Sequence, residues 1–378
     1  MEEKKNTLGL IQALRGAASL LVVLYHTSSN AISNFGQEFC SNIFFFGSSG
    51  VDIFFVLSGF IITYTSSKGL EDPGKLGGFL YKRIVRIFPP YWIIITFFLL
   101  MQILLPAFYR THFNLSFANT AAAYFLFPGH TMVNGVSWSL SYELFFYVLF
   151  ALAFIIPRKK WAFYLCMIYT IVIIVMFTSR YSHEYASSWT KLIFCPMNVE
   201  FFLGVFAAIL IPKISKVVSV PFIITGLLLF LAAAIFIDIQ KIELHPDFYL
   251  RVLLFGPASF FIITGLVKLE LTQKLNIHNL LLKLGEASYS LYLLHLPLVV
   301  AFVKILVKFN FKNIVVLHGL LILVIVFICY ISILFYKFVE KPLTRKLTSF
   351  NKGKVIPAPV VKIQEEGRST ELFKNNIQ

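Results

Sequence analysis

Charged side chains are scarce in this chain. They make up 13% of its 378 residues, against 58% apolar and 17% aromatic, and so little polar surface cannot coat a water-soluble body of that length. Acidic residues are the scarcer sign, 18 against 33 Lys plus Arg. The resulting +15 would suggest nucleic acid in a soluble chain and basic cytoplasmic loops in a membrane chain, so the positions of the charges decide. Cysteine is sparse as well: Cys40, Cys166, Cys195 and Cys329 lie far apart, three of them in apolar runs, which offers neither a disulfide framework nor a zinc-ligand spacing. Also missing are a Gly-rich phosphate loop, a nucleophile elbow, a zinc-protease helix and any repeat of fixed period. Soluble enzymes built on those devices, metal chemistry and thiol chemistry are set aside.

Long apolar runs are abundant. Crossing a hydrocarbon core of about 30 Å takes about 20 mostly apolar residues, and ten segments qualify: 8–27, 43–65, 88–107, 138–156, 161–178, 194–211, 218–237, 250–268, 287–306 and 313–336. The stretch 115–127 is apolar but too short, and reads as an interfacial or re-entrant piece. The first segment follows Lys4 and Lys5 as a secretory signal would, yet it carries Arg15 in its middle and no small-residue cleavage site follows, so it is expected to be retained. With the N-terminus inside, 24 basic residues fall on the cytoplasmic side and 8 on the other, Arg15 lying within a helix. That bias orients both termini toward the cytoplasm and accounts for the net charge without nucleic acid. The expected fold is an all-α polytopic integral membrane bundle of about ten transmembrane helices, residues 1–346. A basic cytoplasmic tail, 347–378, follows; its polar composition without periodicity predicts disorder.

Ionisable groups at membrane depth cost several kcal/mol unless paired or wet, so each is a candidate for function. Arg15, His26, Asp52, Glu143, Glu200 and His295 lie inside predicted spans. Arg15 and His26 are eleven residues apart, three full turns at about 100° per residue, so they share a face with Ser19 and Val22 while standing roughly 16 Å apart. Asp52 lies in GVDIFFVLSGF and wants a basic partner or water, whereas Ser58, Gly59 and Thr63 are small enough for close helix packing. Arg83 and Arg86, one turn apart before Pro89 and Pro90, read either as positive-inside anchors or as a phosphate clamp. Pro89 and Pro90 are expected to end or start the helix. His26, Asp52, Glu143 and Glu200 project to the outer half of the membrane, as residues around a shared polar cavity would. Ser288, Ser290, Tyr292 and His295 form a polar strip before Pro297.

Taken together, Arg and His with ten residues between them in the first helix, GVDIFFVLSGF, RIVRIFPPYW, WSLSYELFFY, SYSLYLLHLPL and the EKP at Glu340 to Pro342 resemble the acyltransferase 3 family of bacterial polytopic membrane acyltransferases, over nearly the whole chain. The resemblance implies an acyl-CoA donor on the cytoplasmic side of the bacterial inner membrane and transfer, usually of acetyl, to a hydroxyl of a surface or lipid-linked carbohydrate. Arg15 and His26 match that family's essential pair, and Arg83 and Arg86 its cytoplasmic arginine pair, so these three arginines are expected to hold the CoA. Some members carry a fused hydrolase-like domain; this chain is expected to act alone or to hand its acyl group to a separate extracytoplasmic protein.

Acyl transfer needs a base, and a neutral His26 serves, with Asp52 or Glu143 orienting its other nitrogen. An acyl-His26 intermediate is the competing mechanism. Ser58, Trp138, Tyr142, Glu200, Tyr292 and His295 are expected to line the substrate cavity, and no metal is implied. A transporter or flippase of a lipid-linked glycan is the rival from another class, although it would favour broken helices in two matching halves. The charge bias predicts that, in a cysteine-free background, an impermeant thiol reagent labels position 29 (Ser29→Cys) in intact cells and leaves position 75 (Lys75→Cys) unlabelled until the cells are opened. The reverse pattern overturns the orientation.

Overall fold

The computed structural model describes residues 8–36, 39–105, 115–129, 133–156, 159–178, 188–240, 242, 244, 249–273, 275–309, 311 and 313–350. Among these the chain is helix and turn, without a strand. The helices are α1 Gly9–Phe35, α2 Gly50–Ser66, α3 Leu76–Leu104, α4 Phe117–Tyr124, α5 Trp138–Ala151, α6 Lys159–Thr178, α7 Ser188–Phe194, α8 Asn198–Leu210, α9 Ser219–Gln240, α10 Tyr249–Thr272, α11 Asn279–Glu286, α12 Ser288–Val307, α13 Ile314–Phe335 and α14 Lys341–Phe350. All ten apolar segments are helical. Eight of the resulting helical stretches are long and apolar enough to cross a membrane, while 138–154 and 164–176 are shorter apolar helices. The protein is thus an all-α, multi-pass membrane bundle. The short apolar stretch expected near 115–127 contributes α4, an eight-residue helix hung on α3: the Tyr91 hydroxyl donates to the Ala123 carbonyl at 2.8 Å, and the Trp92 indole to that of Tyr124 at 2.9 Å.

The bundle is knit by close backbone approach and by borrowed caps. Between α2 and α8, Gly59 and Gly204 face each other's helix so tightly that a Cβ on Gly59 would stand 1.9 Å from the Phe201 carbonyl oxygen, and one on Gly204 2.0 Å from that of Val56. Small residues permit such contact, which gathers dispersion energy where no hydrophobic force separates helix from lipid. Beside this seam the rings of Phe55, Phe201 and Phe146 stack in sequence, centroids 4.5 and 4.3 Å apart. The first turn of α1 has no acidic residue of its own. The Glu270 carboxylate at the end of α10 fills that place, accepting from the amides of Gly9 and Leu10, which pins the start of the first helix to the bundle.

Two features depart from the sequence reading. α3 begins at Leu76, not 88, and runs unbroken through Pro89 and Pro90, so Arg83 and Arg86 lie within a helix instead of ahead of one. The missing amides of Pro89 and Pro90 leave the Val85 and Arg86 carbonyls without their i→i−4 partners; close by, Tyr289 of α12 ties itself to the same turn of α3, donating its hydroxyl to the Ile87 carbonyl at 2.8 Å. The second departure is at the C-terminal end, where α13 continues through one π-turn, Tyr336–Glu340, into α14. The segment expected as tail therefore starts as helix to Phe350, and 351–378 lie outside the described residues.

The α2–α8 seam predicts that Gly204→Ala lowers the yield of folded, monodisperse protein and its thermal midpoint, by a cost at or above the roughly 1–3 kcal/mol of an overpacked core. Gly319→Ala, whose new methyl meets nothing within 4 Å, keeps wild-type behaviour. Size-exclusion profiles and melting curves of the two proteins side by side check this.

Candidate active site

Asp52, the carboxylate that demanded a partner, has one. Arg251, in the first turn of α10, donates from Nε to both carboxylate oxygens at 3.0 and 2.9 Å and from Nη2 to Oδ2 at 2.7 Å. Its remaining donors go to the carbonyls of Ser48, 2.7 Å, and Leu244, 3.0 Å. Both side chains are buried, Asp52 completely. The planar fork suits this arrangement, since each of its three nitrogens finds an acceptor. Glu200 of α8, also fully buried, stands within electrostatic reach of the same pair. The sequence reading counted Arg251 among outer-loop charges. Its helix starts at Tyr249 and turns it into the bundle.

Arg251 forms one wall of a cavity of about 240 Å³ that His26, Tyr25, Trp138 and Tyr292 also line. Each side chain arrives from a different helix face. His26 comes from the stripe of α1 that buries Ser19 and Val22, Trp138 from the first residue of α5, and Tyr292 from the polar strip of α12. The Tyr292 hydroxyl is held at 2.7 Å from Ser139 Oγ and donates to the Val136 carbonyl at 3.1 Å. One turn further along α12, the ring of His295 lies 5.2 Å from that of His26, centroid to centroid, and is completely buried.

A second polar group gathers at the other end of the same helices. Arg83 lies over the rings of Phe79 and Tyr147, 5.4 and 5.5 Å from their centroids. Glu143 accepts from the hydroxyls of Tyr147 and Ser58, the latter at 3.2 Å. Glu340, swung inward by the π-turn, accepts from Ser290. Arg15 and Arg86 stand within electrostatic reach of both carboxylates. Three guanidinium groups against two carboxylates leave one positive charge over, in a setting of forked donors suited to a phosphate. Because α1 is unbroken from Gly9 to Phe35, Arg15 and His26 keep their separation of roughly 16 Å along it.

The expected site is therefore divided into two. His26, Trp138 and Tyr292 meet at the cavity, with Asp52 and Glu200 behind it on the Arg251 side, while His295, expected in the lining, is buried behind the His26 ring. Arg15, Arg83 and Arg86 meet at the other pole. Glu143 and Ser58, expected near His26, belong to the arginine pole, because five residues of α5 carry Glu143 about 7 Å beyond Trp138. Tyr142, next to it, packs its ring on Trp138 and Phe55. The orienting role given to Asp52 or Glu143 does not fit this geometry: Asp52 is bound by Arg251, Glu143 by Tyr147 and Ser58, and the polar ring beside His26 is His295. Arg251 and Glu340 are the residues that the reading left out.

Removing one partner of a buried ion pair leaves an uncompensated charge, at about 3–5 kcal/mol. Asp52→Leu is therefore expected to abolish the folded protein, and Asp52→Leu with Arg251→Met to recover it to a yield well above either single change. Equal yields from single and double variants, measured by fluorescence size exclusion, would deny the pair its role as a structural unit.

The family described as an acyltransferase domain, acyltransferase 3, matches residues 9–337. The chain is 27% identical over 260 residues to the exopolysaccharide production protein ExoZ of Rhizobium meliloti (strain 1021), covering 67% of this chain and 76% of that one. No solved structure matches. With the matched region running from the start of α1 into the π-turn, the chain belongs to the acyltransferase 3 family and is a membrane acyltransferase.

Proposed function

We propose that the protein moves an acetyl group from acetyl-CoA, bound at the arginine pole on the cytoplasmic side of the bacterial inner membrane, to a hydroxyl of a surface or lipid-linked carbohydrate at the His26 cavity. The observation that carries this reading is the pairing of the two poles. An arginine group with one charge in excess and a histidine-lined cavity share α1, α2, α5 and α12, and lie roughly 16 Å apart along α1. A pantetheine arm has about that reach, so phosphates held by Arg15, Arg83 and Arg86 would leave the thioester beside His26, and whole CoA would not need to cross the membrane. A cavity of about 240 Å³ favours a short acyl group with one sugar ring over a long chain. The name of the Rhizobium relative favours a polysaccharide acceptor.

In the reaction, the acceptor hydroxyl oxygen attacks the thioester carbonyl carbon while His26 takes the hydroxyl proton. The new C–O bond forms, the C–S bond breaks, and the proton passes from the imidazolium to the departing thiolate as CoA-SH. Holding both substrates in one small cavity supplies the orientation such a step needs.

The test uses purified protein in liposomes with labelled acetyl-CoA and glycan from cells lacking the gene. The expected result is label in the glycan, matched by an acetyl mass increment present in wild-type glycan and absent from the deletion. Glycan movement across the bilayer without thioester consumption would support a flippase instead. Within the reaction, Arg15→Lys is expected to raise the KM for acetyl-CoA about tenfold with kcat nearly kept, since Lys retains charge without the fork. His26→Gln is expected to lower kcat by at least about a hundredfold with donor KM unchanged. A pure kcat loss in both variants would dissolve the division between a donor pole and a transfer pole.

A further inference from the structure

His295 poses a question that the reading above leaves open. It is completely buried, its Nδ1 lies 3.1 Å from the Leu291 carbonyl, and its Nε2 is buried with no hydrogen-bond partner among the described residues. A carbonyl can only accept, so the Leu291 contact fixes the proton on Nδ1 and leaves a lone pair on Nε2. A buried acceptor without a donor costs about 1–3 kcal/mol and is uncommon in a native fold. The ring closest to it that can donate is His26, with centroids 5.2 Å apart and planes 40° apart, a separation that a nitrogen-to-nitrogen hydrogen bond of roughly 2.7–3.2 Å spans after a small turn of either ring.

We infer that His295 is the positioning residue of the transfer: its Nε2 accepts a hydrogen bond from the His26 ring, which holds the lone pair of the other His26 nitrogen toward the acceptor hydroxyl. The inference rests on His26 being the base of the proposed reaction. It supplies what a carboxylate was expected to supply, with a different consequence. A neutral imidazole acceptor fixes the tautomer without placing a negative charge next to the thioester. It also steadies the imidazolium through the bond for the moment between proton uptake and its release to the thiolate. The two large polar side chains of the cavity wall, Tyr292 and Arg251, are otherwise engaged. Tyr292 is bonded to Ser139 and Val136, and Arg251 to Asp52, Ser48 and Leu244. The Leu291 bond acts on the His295 ring as a backstop, so the chain Leu291 carbonyl, His295, His26, hydroxyl runs in one direction.

The test compares His295→Gln, whose amide oxygen can take the place of Nε2 as acceptor, with His295→Phe, which keeps bulk and loses the acceptor. Both are assayed in the purified full chain with acetyl-CoA and the acceptor glycan. Expected is a kcat within about tenfold of wild type for Gln and at least about a hundredfold lower for Phe, with both KM values held within about twofold. His26→Ala combined with His295→Phe is expected to be no slower than His26→Ala alone, because a residue acting through His26 has nothing left to act on. Full kcat in His295→Phe, or losses that multiply in the double variant, would overturn the inference. If His295→Phe does not fold, the 15N spectrum of histidine-labelled wild-type protein decides: the His295 Nε2 resonance, assigned by its loss in His295→Gln, must move in His26→Ala, and a stationary resonance overturns the inference equally. Wild-type protein that consumes no acetyl-CoA would instead overturn the proposed function, so the two failures are told apart.

Discussion

The ion pair of Asp52 with Arg251 is the contact around which the working half of this bundle is arranged. In a soluble protein a buried pair of this kind is often replaceable by apolar side chains of the same shape. Within a membrane its use lies in what it joins. The guanidinium gathers four acceptors from three places in the chain: the carboxylate on α2, the Ser48 carbonyl just ahead of that helix, and the Leu244 carbonyl just ahead of α10. Both helices are fixed at the same depth, and with them the rim of the cavity to which His26, Trp138 and Tyr292 are brought. Apolar packing against lipid-like neighbours leaves helices free to slide, and one polar knot removes that freedom.

From that fixed depth, the helical rise spaces the chemistry. The same helices present one residue to the cavity level and another to the arginine pole one or two turns away: Trp138 and Glu143 on α5, Asp52 and Ser58 on α2, His295 and Ser290 on α12. Under the proposed reaction, a donor with a charged head, a long arm and a reactive end would be matched by two poles and a run of short hydroxyl and aromatic side chains between them. The bundle would then separate phosphate recognition from handling of the acyl carbon.

Much of this was legible in the residues. Runs of about 20 apolar residues located every long helix, and the cost of burying charge selected Arg15, His26 and Asp52 out of 378 positions. The misses have identifiable causes. Arg251 lay two residues inside an apolar segment whose ends are uncertain by a turn, so it was read as a loop charge, although the unpaired Asp52 already called for a base. Pro89 and Pro90 were read as a helix boundary because two missing amides usually end a helix, and local sequence does not show the packing that carries α3 through them. Glu143 was placed with His26 since depth alone was available. Which group it faces depends on the packing of α5 against α2 and α3, which no local pattern encodes.

The π-turn at Tyr336–Glu340 has a consequence for how this last helix tolerates change. A π-turn holds one residue more than the α-turn it interrupts, so the two helices it joins are offset in phase by about 100°, the angle of a single residue. Loss of any one residue in the turn would let the backbone relax to an uninterrupted α-helix and rotate everything beyond it by that angle. Glu340 would leave Ser290 and the arginine pole, and the exposed face of α14, with Lys341, Arg345 and Lys346, would be wound inward. The insertion works as a phase-setting shim, and a one-residue deletion there would be felt at the arginine pole that Glu340 enters.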